Sequence, residues 1–240
     1  MNSDYQQQYN LSVFINTVRD FLKKQGYFEH HLYSTLNYKI ENTDTFKIKD
    51  NLYLRYNPEP DIWQVGIKHD KLFWIGSMFR DEDKLDDLHQ YEFTVIDIYQ
   101  ARGTVDMVIK YYIEILKTLE KELKLSPLSE LKIKYMTHKD FSVLDKNDLK
   151  GKYWLIVTDY SVDESFYDVG RNNSLTSKFE IFFMEDRNFT EIVACGNLGD
   201  NLNQNNFVSN GQTFINQDLL EKSFIGFGIG LERLMRLYNR

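Results

Sequence analysis

"KLFWIGSMFRDEDKLDDLHQYEFTVIDIYQA", Lys71 to Ala101, sets two strand-like runs on either side of an acidic crest. Both runs are rich in aromatic and β-branched residues, and the crest is polar. The stretch therefore reads as an antiparallel β-hairpin with a long loop. Side chains alternate along a strand, so Tyr91, Phe93, Val95, Asp97 and Tyr99 share one face of the second run. Glu92, Thr94, Ile96 and Ile98 share the other. The first face holds the Asp97 carboxylate among aromatic rings. Burying it costs free energy unless a cation or several donors meet it. The pattern leaves two readings open: a satisfied core aspartate, or a ligand-facing carboxylate that receives an ammonium group.

Arg80 ends the first run, across the hairpin from that face. Its planar fork suits bidentate binding of phosphate or carboxylate. Taken alone, an arginine before Asp81, Glu82 and Asp83 reads as a surface ion pair of little weight. The crest fails as a calcium loop: Asp81 and Asp83 fit the first ligand positions, but Leu85 follows and the required glycine is missing.

Outward from the hairpin, Leu11, Phe14, Ile15, Val18 and Leu22 recur at helical spacing up to Gly26. "YFEHHLYSTL", "DTFKIKD" and "LYLRY" read as strands, and "NPEPDIWQVGIKH" as a short helix. After the hairpin, Val105, Val108, Ile109, Tyr112, Leu116, Leu119 and Leu123 mark a long amphipathic helix laid across a sheet. Residues 126–152 carry no clear period. "YWLIVTDY", "KFEIFFME" and "FTEIVACG" read as strands and "GDNLNQNNFVSNGQ" as a loop. Strands come in consecutive groups, which predicts an α+β fold on a mostly antiparallel sheet, as one domain over residues 1–240.

The 240 residues are 42% hydrophobic, enough for a proper core. The net charge of −7 argues against non-specific nucleic-acid binding, which depends on neutralising phosphates. A single cysteine excludes a disulfide framework and suits a reducing cytosol, so a cytoplasmic location is expected. No apolar run is long enough for a transmembrane helix, so no membrane partner is expected. Cys195 reads as a small buried residue, and His30, His31 and His69 have no metal-ligand spacing.

The C-terminal "GFGIGLER" places Gly226, Gly228 and Gly230 before Glu232 and Arg233. Glycines let a backbone approach a ligand closely. No Gly-Lys-Ser/Thr follows, so it is not a Walker loop, and no strand–helix–strand unit makes it a dinucleotide fingerprint. A second arginine, matching Arg80, makes it a candidate triphosphate site.

Together these segments resemble class II aminoacyl-tRNA synthetases of the aspartyl, asparaginyl and lysyl subgroup. "FRDED…HQYEFTVIDIY", within about 72–100, resembles their motif 2, and "GFGIGLERL", within about 224–238, their motif 3. "VRDFLKKQGYFEHHLYSTL", about 18–36, resembles a motif 1 without its usual proline. "LYLRYNPEPDIW" is similar to the subgroup's "LR-x-x-PE" segment, and "VTDYSVDESFY" and "FTEIVACGN" to later segments. The resemblance implies an antiparallel sheet flanked by helices, a homodimer, and ATP- and Mg2+-dependent activation of an amino acid as an acyl-adenylate. Arg80 would bridge the α-phosphate and the substrate carboxylate, and Phe93 would stack on adenine, with Glu82 and His89 holding base and phosphates. Arg233 would bind the γ-phosphate, with Gly228 and Gly230 letting the backbone pass close to the nucleotide. Glu191 would ligate magnesium, with Asp200 a candidate second ligand. Asp97 and Glu59 would accept the amino group, and Tyr99 would line the pocket.

The departures from the pattern shape the expected function. Motif 1 begins near the N-terminus, the chain ends just after motif 3, and the charge is negative, so tRNA is not the expected acceptor. Ammonia, as in the related ammonia-using asparagine synthetase, an amine, a carrier protein or a protein lysine is expected instead. Ile62 and Leu198 fall where aspartyl enzymes carry substrate-binding cations, which disfavours aspartate as substrate. Glu59 and Asp97 suit a lysine-like or β-amino substrate. The competing readings are a nucleotide-sensing subunit without catalysis and a core that charges tRNA with a partner protein.

Overall fold

The computed structural model describes residues 3–37, 45–59, 61–62, 68–81, 85, 89–161, 178–197, 208–209, 212–213 and 224–238. Helix α1 (Ser3–Lys24) leads into two short strands, β1 (Phe28–Glu29) and β2 (Thr35–Leu36). The single strand expected over this stretch is thus broken around His30 and His31, where β1 turns away after pairing with the next long strand. Strands β3 (Lys47–Lys49) and β4 (Leu52–Leu54) join β2 in a small three-stranded sheet. The hairpin forms as expected, from β5 (Lys71–Phe79) and β6 (Glu92–Ala101) in unbroken antiparallel register.

The amphipathic helix becomes α2 (Val105–Leu123). Thr104 caps it by accepting a hydrogen bond from the Met107 N–H, and Lys124 ends it in a left-handed conformation at φ 56°. The segment with no clear period contains β7 (Ile133–Thr137) and the short helix α3 (His138–Ser142). Strands β8 (Lys152–Thr158), β9 (Phe179–Glu185) and β10 (Asn188–Asn197) follow. Within the asparagine-rich stretch, β11 (Val208–Ser209) pairs with β12 (Gln212–Thr213), a minimal hairpin where a loop was expected. Strand β13 (Phe224–Gly230) runs straight into helix α4 (Leu231–Tyr238).

Among the described residues, the large sheet has eight strands in the order β1-β5-β6-β13-β10-β9-β8-β7. Only the edge pairs β1–β5 and β7–β8 are parallel, so the sheet is mostly antiparallel and flanked by helices, an α+β fold. Its two faces differ in chemistry. On one, α1, α2 and α4 bury Phe14, Val18, Leu22, Tyr112, Leu116 and Leu234 against Ile96, Ile98, Phe227 and Ile229. On the other, a smaller cluster gathers Ile62, Leu72, Trp74, Met78, Val95 and Tyr99. The alternation read in β6 therefore holds, with even residues toward the helices and odd residues away from them. Tyr91 lies just outside β6 and is exposed, its ring set 5.5 Å from that of Phe46. Cys195 belongs to the helix-side core.

Candidate active site

Register builds the site. Trp74 pairs with Asp97, Asp97 with Gly228, Gly228 with Ala194, and Ala194 with Glu180. Directly paired residues of antiparallel strands point to the same face. A row thus crosses five strands, β5, β6, β13, β10 and β9, on the face away from α1 and α2. Its middle, Gly228 and Ala194, has almost no side chain. The row is a trough with a carboxylate at either side: Asp97 and Glu180.

Asp97 is 7% exposed. Burial pushes its carboxyl up to about 7, and the Tyr99 hydroxyl and the Arg80 guanidinium pull the other way. A Cβ on Gly228 would lie 3.1 Å from Asp97 Oδ1, so the glycine is what leaves this carboxylate open along the trough. Tyr99 is 1% exposed on the same face as Asp97 and packs into the small cluster with Ile62, at the end of the trough floor. Ile62 is equally buried at 1% and offers no charge to a ligand.

Arg80 stands where β5 ends. Its N–H donates to the Tyr91 carbonyl at 3.0 Å and closes the hairpin. The guanidinium Cζ lies 5.0 Å from the Tyr56 ring centre and 5.1 Å from that of Phe93, held between two aromatic faces. Its Nε is buried and makes no hydrogen bond. A buried charged donor left open suits an anionic oxygen arriving from outside. The Tyr56 loop is fixed beside Arg80, because the Phe79 N–H donates to the Arg55 carbonyl at 2.8 Å. Glu59, in the helical turn that follows, is half-buried and accepts from Asn57 Nδ2 at 3.5 Å. His89 is exposed on the crest.

Helix α4 brings the second arginine. The Glu232 carboxylate accepts the Thr94 N–H at 2.8 and 2.9 Å, tying the start of α4 to β6 beside Phe93. Arg233 Nη1 donates to the Glu191 carbonyl at 3.2 Å and lies 3.8 Å from Glu191 Oε2. Gly230 leaves room next to it: an added Cβ would meet only Arg233 Cδ, at 3.8 Å. The half-buried Glu191 carboxyl is pushed up by desolvation and by the negative Glu180 beside it, against the pull of Arg233, Arg80 and Lys178. Glu180 itself accepts from the Tyr160 hydroxyl at 2.6 Å and pairs with Lys178 at 2.9 Å.

The structure therefore gathers Arg80, Phe93, Asp97, Glu191, Gly228, Gly230 and Arg233 on or beside one trough, with Tyr99 buried next to Asp97 and Glu59 on the adjoining loop. Glu82, Leu198 and Asp200 lie outside the described residues. Two neighbours of the trough were missed in the sequence, Tyr56 and Glu180. The sequence carried a signal for Tyr56, which sits inside the "LRYNPE" segment, and none for Glu180.

An arginine-tipped antiparallel hairpin thus faces a glycine-lined strand that enters a helix. The chain belongs to the class II tRNA synthetase family of the D, K and N group, whose pattern matches residues 2–193. The Gly228–Arg233 element lies beyond that match, and the fold brings it to the hairpin.

Lysine–tRNA ligase from Mesomycoplasma hyopneumoniae is 27% identical over 135 residues, covering 53% of this chain and 27% of that protein. Lysine–tRNA ligase from Methanoculleus marisnigri is 29% identical over 119 residues, covering 47% of this chain and 23% of that protein. The matched stretches thus span about a quarter of the length of these relatives. Asparaginyl-tRNA synthetase from Pyrococcus horikoshii, solved with asparaginyl-adenylate, superposes with a TM-score of 0.71 at 15% identity. That superposition covers 95% of this chain and 63% of that one, and it supports the fold.

Proposed function

We propose that this protein activates an amino acid with ATP and passes the acyl group to an acceptor other than tRNA. The observation that carries the activation step is Arg80, a half-buried guanidinium set between Tyr56 and Phe93 with a buried Nε that makes no hydrogen bond. A substrate carboxylate oxygen attacks the α-phosphorus of ATP. The bond from that phosphorus to the α,β-bridging oxygen breaks, and pyrophosphate leaves with the electron pair. Arg80 sits to bind both the carboxylate and the α-phosphate, stabilising the charge that builds on the phosphoryl oxygens. Phe93 supplies the adenine platform and Arg233 the terminal phosphate contact, with Gly230 leaving the backbone close.

Glu191 and Glu180 would hold magnesium. Their oxygens are the donors that ion prefers, and their mutual repulsion, which lifts the Glu191 carboxyl, is relieved by a divalent cation. When bound, the ion screens the phosphate charge. Asp97 and Glu59 would receive the substrate ammonium; buried Ile62 gives no cation for an acidic side chain, which favours a lysine-like or β-amino substrate. In the second step an acceptor nitrogen or thiol sulfur attacks the acyl carbon, AMP departs, and the attacking atom loses a proton. Ammonia, an amine, a carrier protein or a protein lysine fits that step. The crest at Asp81, Glu82, Asp83, Asp86 and Asp87, together with the net charge of −7, disfavours a polyanionic acceptor. We take the enzyme to act as a cytoplasmic homodimer. Among the described residues, no helix is long and apolar enough to cross a membrane.

A second reading, transfer to tRNA, is favoured by the likeness to lysine–tRNA ligases. An ATP–pyrophosphate exchange screen over amino acids, β-amino acids included, tests activation. Exchange with at least one of them is expected. Intact ATP binding with no exchange for any amino acid would leave a nucleotide-sensing protein instead. Charging assays with total tRNA on the active amino acid then separate the two acceptors.

A further inference from the structure

The loop that follows β4 carries two residues of the site, Tyr56 behind Arg80 and Glu59 on the amino-acid side. Among the described residues, only one side chain in this loop is a fully buried cation: Arg55, 2% exposed. Its guanidinium is spent inside the protein. Nε donates to the Tyr33 carbonyl at 2.6 Å, and Nη1 to Asp61 Oδ2 at 2.6 Å. Nη1 also reaches the Asn57 carbonyl at 3.4 Å. The Asn57 side chain in turn donates to Glu59 at 3.5 Å. The Arg55 backbone is fixed as firmly: its N–H donates to Ser34 and its carbonyl accepts from Phe79, both at 2.8 Å.

We propose that Arg55 is a positioning residue that sets the distance between the two half-sites, the anion-binding Arg80 and the ammonium-binding Glu59. The main chain of Arg55 docks the loop one residue before Arg80. The side chain of Arg55 then curls the next turn around itself, closing Asn57 and Asp61 onto one guanidinium. Glu59 lies between those two anchors, so its carboxylate goes where the bracket puts it. Tyr56 lies before the bracket and keeps its place through the main-chain bonds. Loss of the side chain should therefore loosen the amino-acid side and spare the nucleotide side. A guanidinium is required because an ammonium cannot hold the Tyr33 carbonyl and Asp61 at once in this fixed fork.

This inference rests on Glu59 as an ammonium acceptor, and two measurements keep it apart from the functional proposal. The first is binding of ATP by calorimetry and exchange kinetics for the best amino acid of the screen, in wild type, Arg55→Lys and Asp61→Asn. Both variants should raise the amino-acid KM at least about tenfold, with kcat and the ATP Kd within about twofold to threefold. The double variant should cost no more than the worse single one, because both break one bracket. The second is hydrogen exchange of the Asp61 and Ile62 amides, which donate to the Pro58 carbonyl. In Arg55→Lys they should lose protection while the β5–β6 amides keep theirs. An unchanged KM together with unchanged protection overturns the inference, and so does an ATP Kd that shifts as far as the KM. Absence of exchange in wild type would overturn the functional proposal alone, since the amide measurement still reads the bracket.

Discussion

Strands β6, β13 and β10 present opposite chemistries on their two faces. Toward the helices they offer Ile96, Ile98, Phe227, Ile229, Val193 and Cys195, all buried in one apolar core. Toward the trough they offer the buried Val95 and Tyr99, and between and beside them Phe93, Asp97, Gly226, Gly228, Gly230 and Ala194, which leave charge and open backbone. Burial of apolar area is the main favourable term in folding, so the helix face supplies most of the stability. The trough face contributes less, through the smaller cluster that holds Val95 and Tyr99, and Asp97 works against it. The same main chain therefore carries a stabilising surface and a reactive one, and substitutions should sort by parity.

Arg80→Ala should have the largest effect and fall on the reactive side alone. Exchange should drop on the order of 10³-fold or more, because a charged donor aimed at a phosphoryl group is lost. Stability should stay within about 1 kcal/mol, since the Arg80 Nε makes no hydrogen bond in the folded chain. Exchange kinetics beside urea unfolding checks both halves, and retained exchange would remove Arg80 from the mechanism. Phe227→Ala is its mirror. Phe227 is 1% exposed in the helix-side core, so truncation should cost about 3–5 kcal/mol of unfolding free energy. Exchange per folded molecule should stay within a few-fold, measured below the unfolding transition.

The parity of β6 was legible because one face alternates apolar with polar over a long run, and a slip of one residue would bury the wrong set. The opposite wall was harder. "KFEIFFME" is nearly continuous in apolar residues, so no period says which way Glu180 points. On β10 a bulge between Glu191 and Val193 breaks the register, which puts both Ile192 and Val193 in the helix-side core. The carboxylate whose charge acts on Glu191 comes from the neighbouring strand, Glu180 of β9, and not from further along β10. Strand β7 escaped notice for a different reason. It lies at the sheet edge, with Ile133 and Tyr135 exposed, so the burial that produces an alternating pattern is missing.

Asp97 offers an intermediate test, because its charge sets the two faces against each other. Its folded-state value of about 7 lies above the ordinary 3.8. Between those values the folded chain holds a proton that the unfolded chain has released, so stability falls as pH rises from about 4 to about 7. Below that window the contribution is fully present, and above it the loss levels off. The expected amplitude is on the order of 2–4 kcal/mol for this single group. Asp97→Asn should remove this step from a pH series of urea unfolding curves. The amino-acid KM should move the other way in wild type, falling as pH rises through about 7, because only the ionised carboxylate attracts an ammonium. A wild-type stability profile with no Asp97-dependent step would show that the carboxylate is solvated.

Gly230→Ala should give the smallest change in stability, and its sign carries the argument. Among the described residues, an added Cβ at Gly230 meets only Arg233 Cδ at 3.8 Å, ordinary contact distance, so none of them requires glycine there. Replacing glycine at an unstrained site restricts the unfolded chain and stabilises by about 0.4–1 kcal/mol. If the glycine is kept for a nucleotide that passes close to the backbone, the variant should be slightly more stable and bind ATP several-fold more weakly. Thermal unfolding read beside ATP calorimetry separates these effects. A variant that gains stability and keeps full ATP affinity would show that the trough face is bare for reasons other than this ligand. A gain in stability with a loss of affinity would show that the missing methyl is space reserved for one.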